Sequence, residues 1–96
     1  MSPKNKIKLN FLRKKLDKID YQLLKVIKKR TEVVKKVLLL KAYKKEIIDK
    51  KRISVVLKKI SKESLKKNID PKITRRIWKN MIWSYIDFEK RNFKKR

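Results

Sequence analysis

Apolar residues recur along the first half of this 96-residue chain at Leu12, Leu16, Ile19, Leu23, Ile27, Val34 and Val37. Gaps of three, four and seven are the repeat of one helix face. With Asn10 as N-cap, the pattern predicts a long first helix reaching about Tyr43, preceded by a frayed tail over residues 1–8. Residues 44–48 read as a short connection. Asp49 suits the N-cap of a second helix, to about Lys67, that buries Ile53, Val56, Leu57, Ile60 and Leu65 and ends at Asn68. Asp70-Pro71 opens the third helix: Asp caps it, and Pro takes the first position, where its missing N–H is not needed. Its apolar stripe is Ile73, Ile77, Met81, Ser84 and Phe88, widened by Trp78, Ile82 and Tyr85. Residues 92–96 read as a second frayed end.

Composition strengthens the helical reading. There is no glycine and there are two prolines, whereas a β-rich fold needs glycine at tight turns. The chain is read as one small all-α domain spanning 1–96, with three helices of which the first is long. At 1.5 Å per residue the first helix would be about 50 Å long, and the others about 25 and 35 Å. The shorter two cannot cover the whole stripe of the first. A large uncovered apolar stripe marks an interface, and a second copy is the simplest cover, so a two-fold homodimer is expected.

Two cations, Arg30 and Lys41, sit on the long helix's apolar stripe. A charge there has lost much of its water and needs an anionic partner. No regular series of carboxylates supplies one. The whole chain is basic, with 33 Lys+Arg against 9 Asp+Glu and a net charge of +24, which points to an anionic partner, either nucleic acid or a small acid. AT-rich codons produce the same excess of lysine and isoleucine, so most lysines are read as solvated surface. Without cysteine or histidine there is no thiolate, no cysteine-ligated metal and no histidine base. Without glycine there is no usual phosphate-cradling loop. Residues 1–8 carry no targeting signal, and the longest apolar run, Val37 to Leu40, is far too short to span a bilayer. A cytoplasmic protein without a membrane partner is expected.

The order of these pieces resembles the all-helical chorismate mutase family over Leu12 to about Glu89. Leu12-Arg13-Lys14-Lys15-Leu16-Asp17-Lys18-Ile19-Asp20-Tyr21-Gln22-Leu23-Leu24 is similar to the family's opening signature. Arg30 and Lys41 follow at the spacing of its second arginine and its lysine. Ile48-Asp49-Lys50-Lys51-Arg52 resembles the element that opens its second helix, and Ile69-Asp70-Pro71 and Ile82-Trp83-Ser84 resemble parts of its third. The resemblance implies an intertwined homodimer that rearranges chorismate to prephenate, on the route to phenylalanine and tyrosine. It also implies the roles. Arg13 would bind a substrate carboxylate in the partner's site, and Arg30 one in its own. Lys41 would donate to the ether oxygen, Asp49 would hold the ring hydroxyl, and Arg52 and Ser84 would complete the grip. Such a pericyclic reaction needs no cofactor and no metal.

Two positions depart from the family. Ile53 stands where a glutamate normally follows the second-helix arginine, and Phe88 stands where glutamine or glutamate faces the ether oxygen. Glu89 is adjacent, but one residue turns about 100° around a helix, so it is expected to face elsewhere. The link from Lys41 to Asp49 is one residue short. Losing a preorganised donor at developing charge costs ~3–4 kcal/mol, so weakened activity is expected. The alternatives are a basic dimer that grips nucleic acid through counterion release and an inactive scaffold remnant. Nucleic acid is disfavoured as a partner because the basic runs lie on several faces and the aromatics fall at core spacing.

Overall fold

The computed structural model describes residues 1–94. It is all-helical: α1 spans Pro3–Leu40, a 3₁₀ turn spans Lys44–Ile47, α2 spans Lys50–Lys66 and α3 spans Pro71–Asn92. α1 begins well before Asn10, so the expected frayed tail over 1–8 is corrected. The Ser2 hydroxyl accepts from the Asn5 N–H at 3.2 Å, and the Ser2 carbonyl accepts from the Lys6 N–H at 2.9 Å. Ser2-Pro3 is therefore a start signal of the same kind as Asp70-Pro71, with the cap followed by proline at the first helical position. α1 stops at Leu40, short of Tyr43, which takes an extended backbone.

α2 and α3 start as their sequence signals predict. The Asp49 carboxylate accepts from the Arg52 N–H at 3.0 Å, and the Asp70 carboxylate from the Lys72 N–H at 2.9 Å. α2 ends in a paired closure: the Ile69 N–H donates to the Ser64 carbonyl at 2.9 Å, and the Asn68 N–H to the Leu65 carbonyl at 3.2 Å. That closure requires a left-handed residue, and Asn68 supplies it with φ 56°. α3 continues through Asn92 with Phe93 as its C-cap. Of the end expected to fray, Lys95 and Arg96 lie outside the described residues.

The chain divides into two compact units, one ending at Val34 and the other starting at Lys35. The first is helix α1 up to that point, and none of its residues is buried. Its stripe is open: Leu12 is 53% exposed, Leu16 57%, Ile19 51% and Leu23 53%. The second unit has a core of Leu38, Ile47 and Ile86, against which Ile48, Ile53, Ile82 and Phe93 pack.

Within that unit the expected face of α3 is covered only in part. Met81 and Phe88 of the predicted stripe and Trp78, Ile82 and Tyr85 that widen it are half-buried, whereas Ile73, Ile77 and Ser84 are exposed. The fully buried residues are Thr74, Ile86 and Glu89, so the covered side is shifted round the helix from the predicted stripe. A polar contact sets this phase. Ser64 of α2 is buried, donates to the Ile60 carbonyl at 2.7 Å and hydrogen-bonds the Thr74 hydroxyl, also at 2.7 Å. Two small hydroxyl side chains thus occupy the seam near the α2–α3 turn, where Leu65 and Ile73 were expected. Both of those apolar residues remain exposed.

Candidate functional site

The rotation of α3 decides which side chain reaches Lys41. In the second unit the Lys41 ammonium donates to the Glu89 carboxylate at 2.8 Å, with the side chains only 18% and 10% exposed. The two residues lie 48 positions apart in sequence. The ion pairs of Glu63 with Lys66 and Lys67, and of Asp87 with Arg91, differ in kind: they are exposed pairs one helical turn apart. Exposed pairs of that sort contribute little to stability. Withdrawing Lys41 and Glu89 from water carries a desolvation cost that their attraction only partly offsets.

Glu89, expected to face elsewhere, reaches Lys41, while Phe88 and not Glu89 lines the cavity beside it. Counting from the hydroxyl seam, Trp78, Ile82, Tyr85 and Glu89 follow at gaps of four, three and four, so Glu89 belongs to the buried stripe. That spacing is present in the sequence. It is masked there by the parallel series Ile73, Ile77, Met81 and Phe88, which is more apolar. The shift also exchanges the residue four before it: Tyr85 is half-buried on the Glu89 side, and Ser84 is exposed. Neither Tyr85 nor Glu89 stands out as a site residue in the sequence.

Lys41 also lines a cavity of about 380 Å³. Leu38, Leu39, Phe88 and Phe93 form its apolar wall, and Lys35, Asn92 and Lys94 add polar groups. This is ample room for a small ring compound, and of the three ammonium groups on its wall that of Lys41 is paired with Glu89. Phe88 is a wall of this cavity. Ile53 packs against the hydrophobic core, which accounts for an apolar residue where a carboxylate was expected.

The remaining predicted residues fall as follows. Asp49 and Arg52 are exposed at the start of α2, and one Asp49 oxygen caps the helix through the Arg52 N–H. Arg13 and Arg30 belong to the first unit. Arg13 is exposed. Arg30 is half-buried with its Nη1 shielded from solvent, whereas every other cation of that unit is exposed. Its partial burial agrees with its place on the apolar stripe. Among the described residues no three metal-ligating side chains converge, and no helix is long and apolar enough to cross a membrane.

Fold and site together define an all-helical domain with lysines on the wall of an apolar cavity. The family model described as chorismate mutase type II matches residues 12–90, and the chain belongs to that family. Comparison with curated proteins and with solved structures gave no match.

Proposed function

We propose that the protein is a chorismate mutase acting as a homodimer, and that Glu89, not Phe88, is the polar group opposite Lys41 in its active site. The observation that carries this reading is the sequestered Lys41–Glu89 pair beside the cavity. A Claisen rearrangement needs no nucleophile, base or metal. It needs a flexible dianion held in its reactive chair and negative charge stabilised on the breaking ether oxygen. Lys41 donates to that oxygen. Arg30 binds a substrate carboxylate in its own chain's site, with a fork matched to carboxylate geometry. Arg13, exposed on an uncovered helix, reaches the partner's site. Asp49 uses one oxygen for its cap and offers the other to the ring hydroxyl, with Arg52 beside it. Ser84, exposed on α3 as Asp49 and Arg52 are at the start of α2, completes the grip.

The open stripe of α1 supports the dimer, since Leu12, Leu16, Ile19 and Leu23 have no cover in the unit that contains them. Ile53 leaves the hydroxyl grip without its usual second carboxylate, so turnover is expected to be lower than a full polar set would give. The test is direct. Purified protein is mixed with chorismate, and loss of substrate and appearance of prephenate are followed. Turnover that disappears in Arg30→Ala supports the enzyme. A dimer that binds no chorismate and shows no turnover at any substrate concentration refutes it and leaves an inactive scaffold.

A further inference from the structure

The outward side of α3 has no part in the reaction proposed above. Lys72, Arg76, Lys79 and Trp83 follow at gaps of four, three and four, which places them within about 60° of one another on the helix. Arg75 flanks the stripe. Lys72, Ile73, Arg75, Arg76 and Lys79 line a surface depression of about 500 Å³. All four cations are exposed and none makes an ion pair among the described residues. No carboxylate occurs in α3 before Asp87. Trp83, at the end of the stripe, is 53% exposed. Its ring therefore does not lie at core spacing, as the sequence suggests for the aromatics of this helix.

We infer that this face of α3 binds single-stranded nucleic acid, with the four cations on successive phosphates and Trp83 stacking on a base. A run of unneutralised cations gives affinity through counterion release. One exposed aromatic in line with them is the combination that holds a single strand without reading its sequence. An amphipathic membrane contact needs a broad apolar face beside the cations, and here only Ile73 lies in the depression and Trp83 at the end of the stripe.

The test uses the full-length protein and a fluorescently labelled oligo(U), with binding followed by anisotropy across a salt series. Two triple variants carry the same charge change: Lys72→Gln with Arg76→Gln and Lys79→Gln on α3, and Lys58→Gln with Lys59→Gln and Lys62→Gln on α2. The α3 triple is expected to weaken binding roughly tenfold or more and to lower the salt slope by about 2, at about 0.7 for each phosphate no longer neutralised. Trp83→Ala weakens binding about tenfold, and Trp83→Phe retains most of it. Oligo(U) quenches wild-type tryptophan fluorescence but not that of Trp83→Phe, where only Trp78 remains. All of these variants keep wild-type chorismate turnover, so loss of this surface is separable from loss of the active site. Equal losses from the two triples, or preference for acidic peptide or anionic vesicles over oligo(U), overturns the assignment.

Discussion

Leu23 and Leu38 lie on the same helix, yet only Leu38 is buried. The difference separates the two units. From Lys35 onward, the last turns of α1, the 3₁₀ turn, α2 and α3 supply one another with cover, and the Lys41–Glu89 pair is assembled inside that unit. In the first unit, Leu12, Leu16, Ile19 and Leu23 are more than half exposed. An isolated helix in water gains little beyond its own hydrogen bonds, and most helical stability comes from packing an apolar face. The first unit is therefore where the proposed dimer is tested. The second holds the Lys41–Glu89 pair.

The largest effect follows from breaking the first unit's proposed interface. Leu16→Asp with Leu23→Asp removes two anchors from each chain of a two-fold dimer. Each Leu side chain contributes about 1.5–3 kcal/mol on full burial, before the cost of burying the new charge. Sedimentation should show monomer, circular dichroism should show lost helix, and turnover should vanish. A double variant that sediments like the wild type would remove the stripe from the interface and with it the role given to Arg13.

A complementation experiment sharpens the same contrast. Arg13→Ala and Arg30→Ala homodimers are each expected to be nearly inactive. In a mixed dimer, the chain that keeps Arg30 receives the intact Arg13 of the other chain, so one complete site forms. Random exchange makes half of the dimers mixed, and activity should return to about a quarter of wild type. No recovery after exchange places both arginines in the site of their own chain.

Within the second unit the contest is between adjacent residues. Glu89→Gln keeps the side chain's shape and offers an N–H where negative charge develops, so kcat should rise several-fold. Glu89→Ala leaves Lys41 unpositioned, and kcat should fall by about two decades. Phe88→Gln should bring no gain, because Glu89 already meets Lys41. A rise with Phe88→Gln and none with Glu89→Gln would restore the α3 face that apolar spacing alone suggests.

That contest also shows where the sequence is legible. Helix starts with a chemical signature are clear at Asp49 and at Asp70-Pro71, because a carboxylate cap and an N-terminal proline act within a few residues. Ser2-Pro3 carries the same logic, but the lysines around it read as a solvated tail. Arg30 and Lys41 stand out as charges on an apolar stripe. The phase of α3 is not legible. Periodicity weighs apolar side chains, whereas Ser64 and Thr74 set this phase through a hydroxyl contact between residues on different helices. Ile73 and Ile77, which spacing counts as core, are exposed within the chain. A face that awaits a partner carries the same apolar signal as a face that is already covered.

The smallest effect concerns the closure of α2, where the chain manages without glycine. Asn68 holds φ 56° between α2 and α3, and the two hydrogen bonds that end α2 depend on that turn. The left-handed region costs a Cβ-bearing residue about 1–2 kcal/mol, and Asn tolerates it better than most. Asn68→Ala should therefore cost about 1 kcal/mol, and Asn68→Gly should cost nothing or stabilise slightly. For a domain of this size, 1 kcal/mol corresponds to a fall of about 4–8 °C in Tm. Asn68 is exposed and has no part in the proposed site, so kcat/KM below the transition and the dimer's dissociation midpoint should stay at wild-type values in both variants. If Asn68→Ala instead weakened the dimer while leaving Tm unchanged, the α2–α3 turn would belong to the interface. The second unit would then share the dependence on a partner proposed for the first.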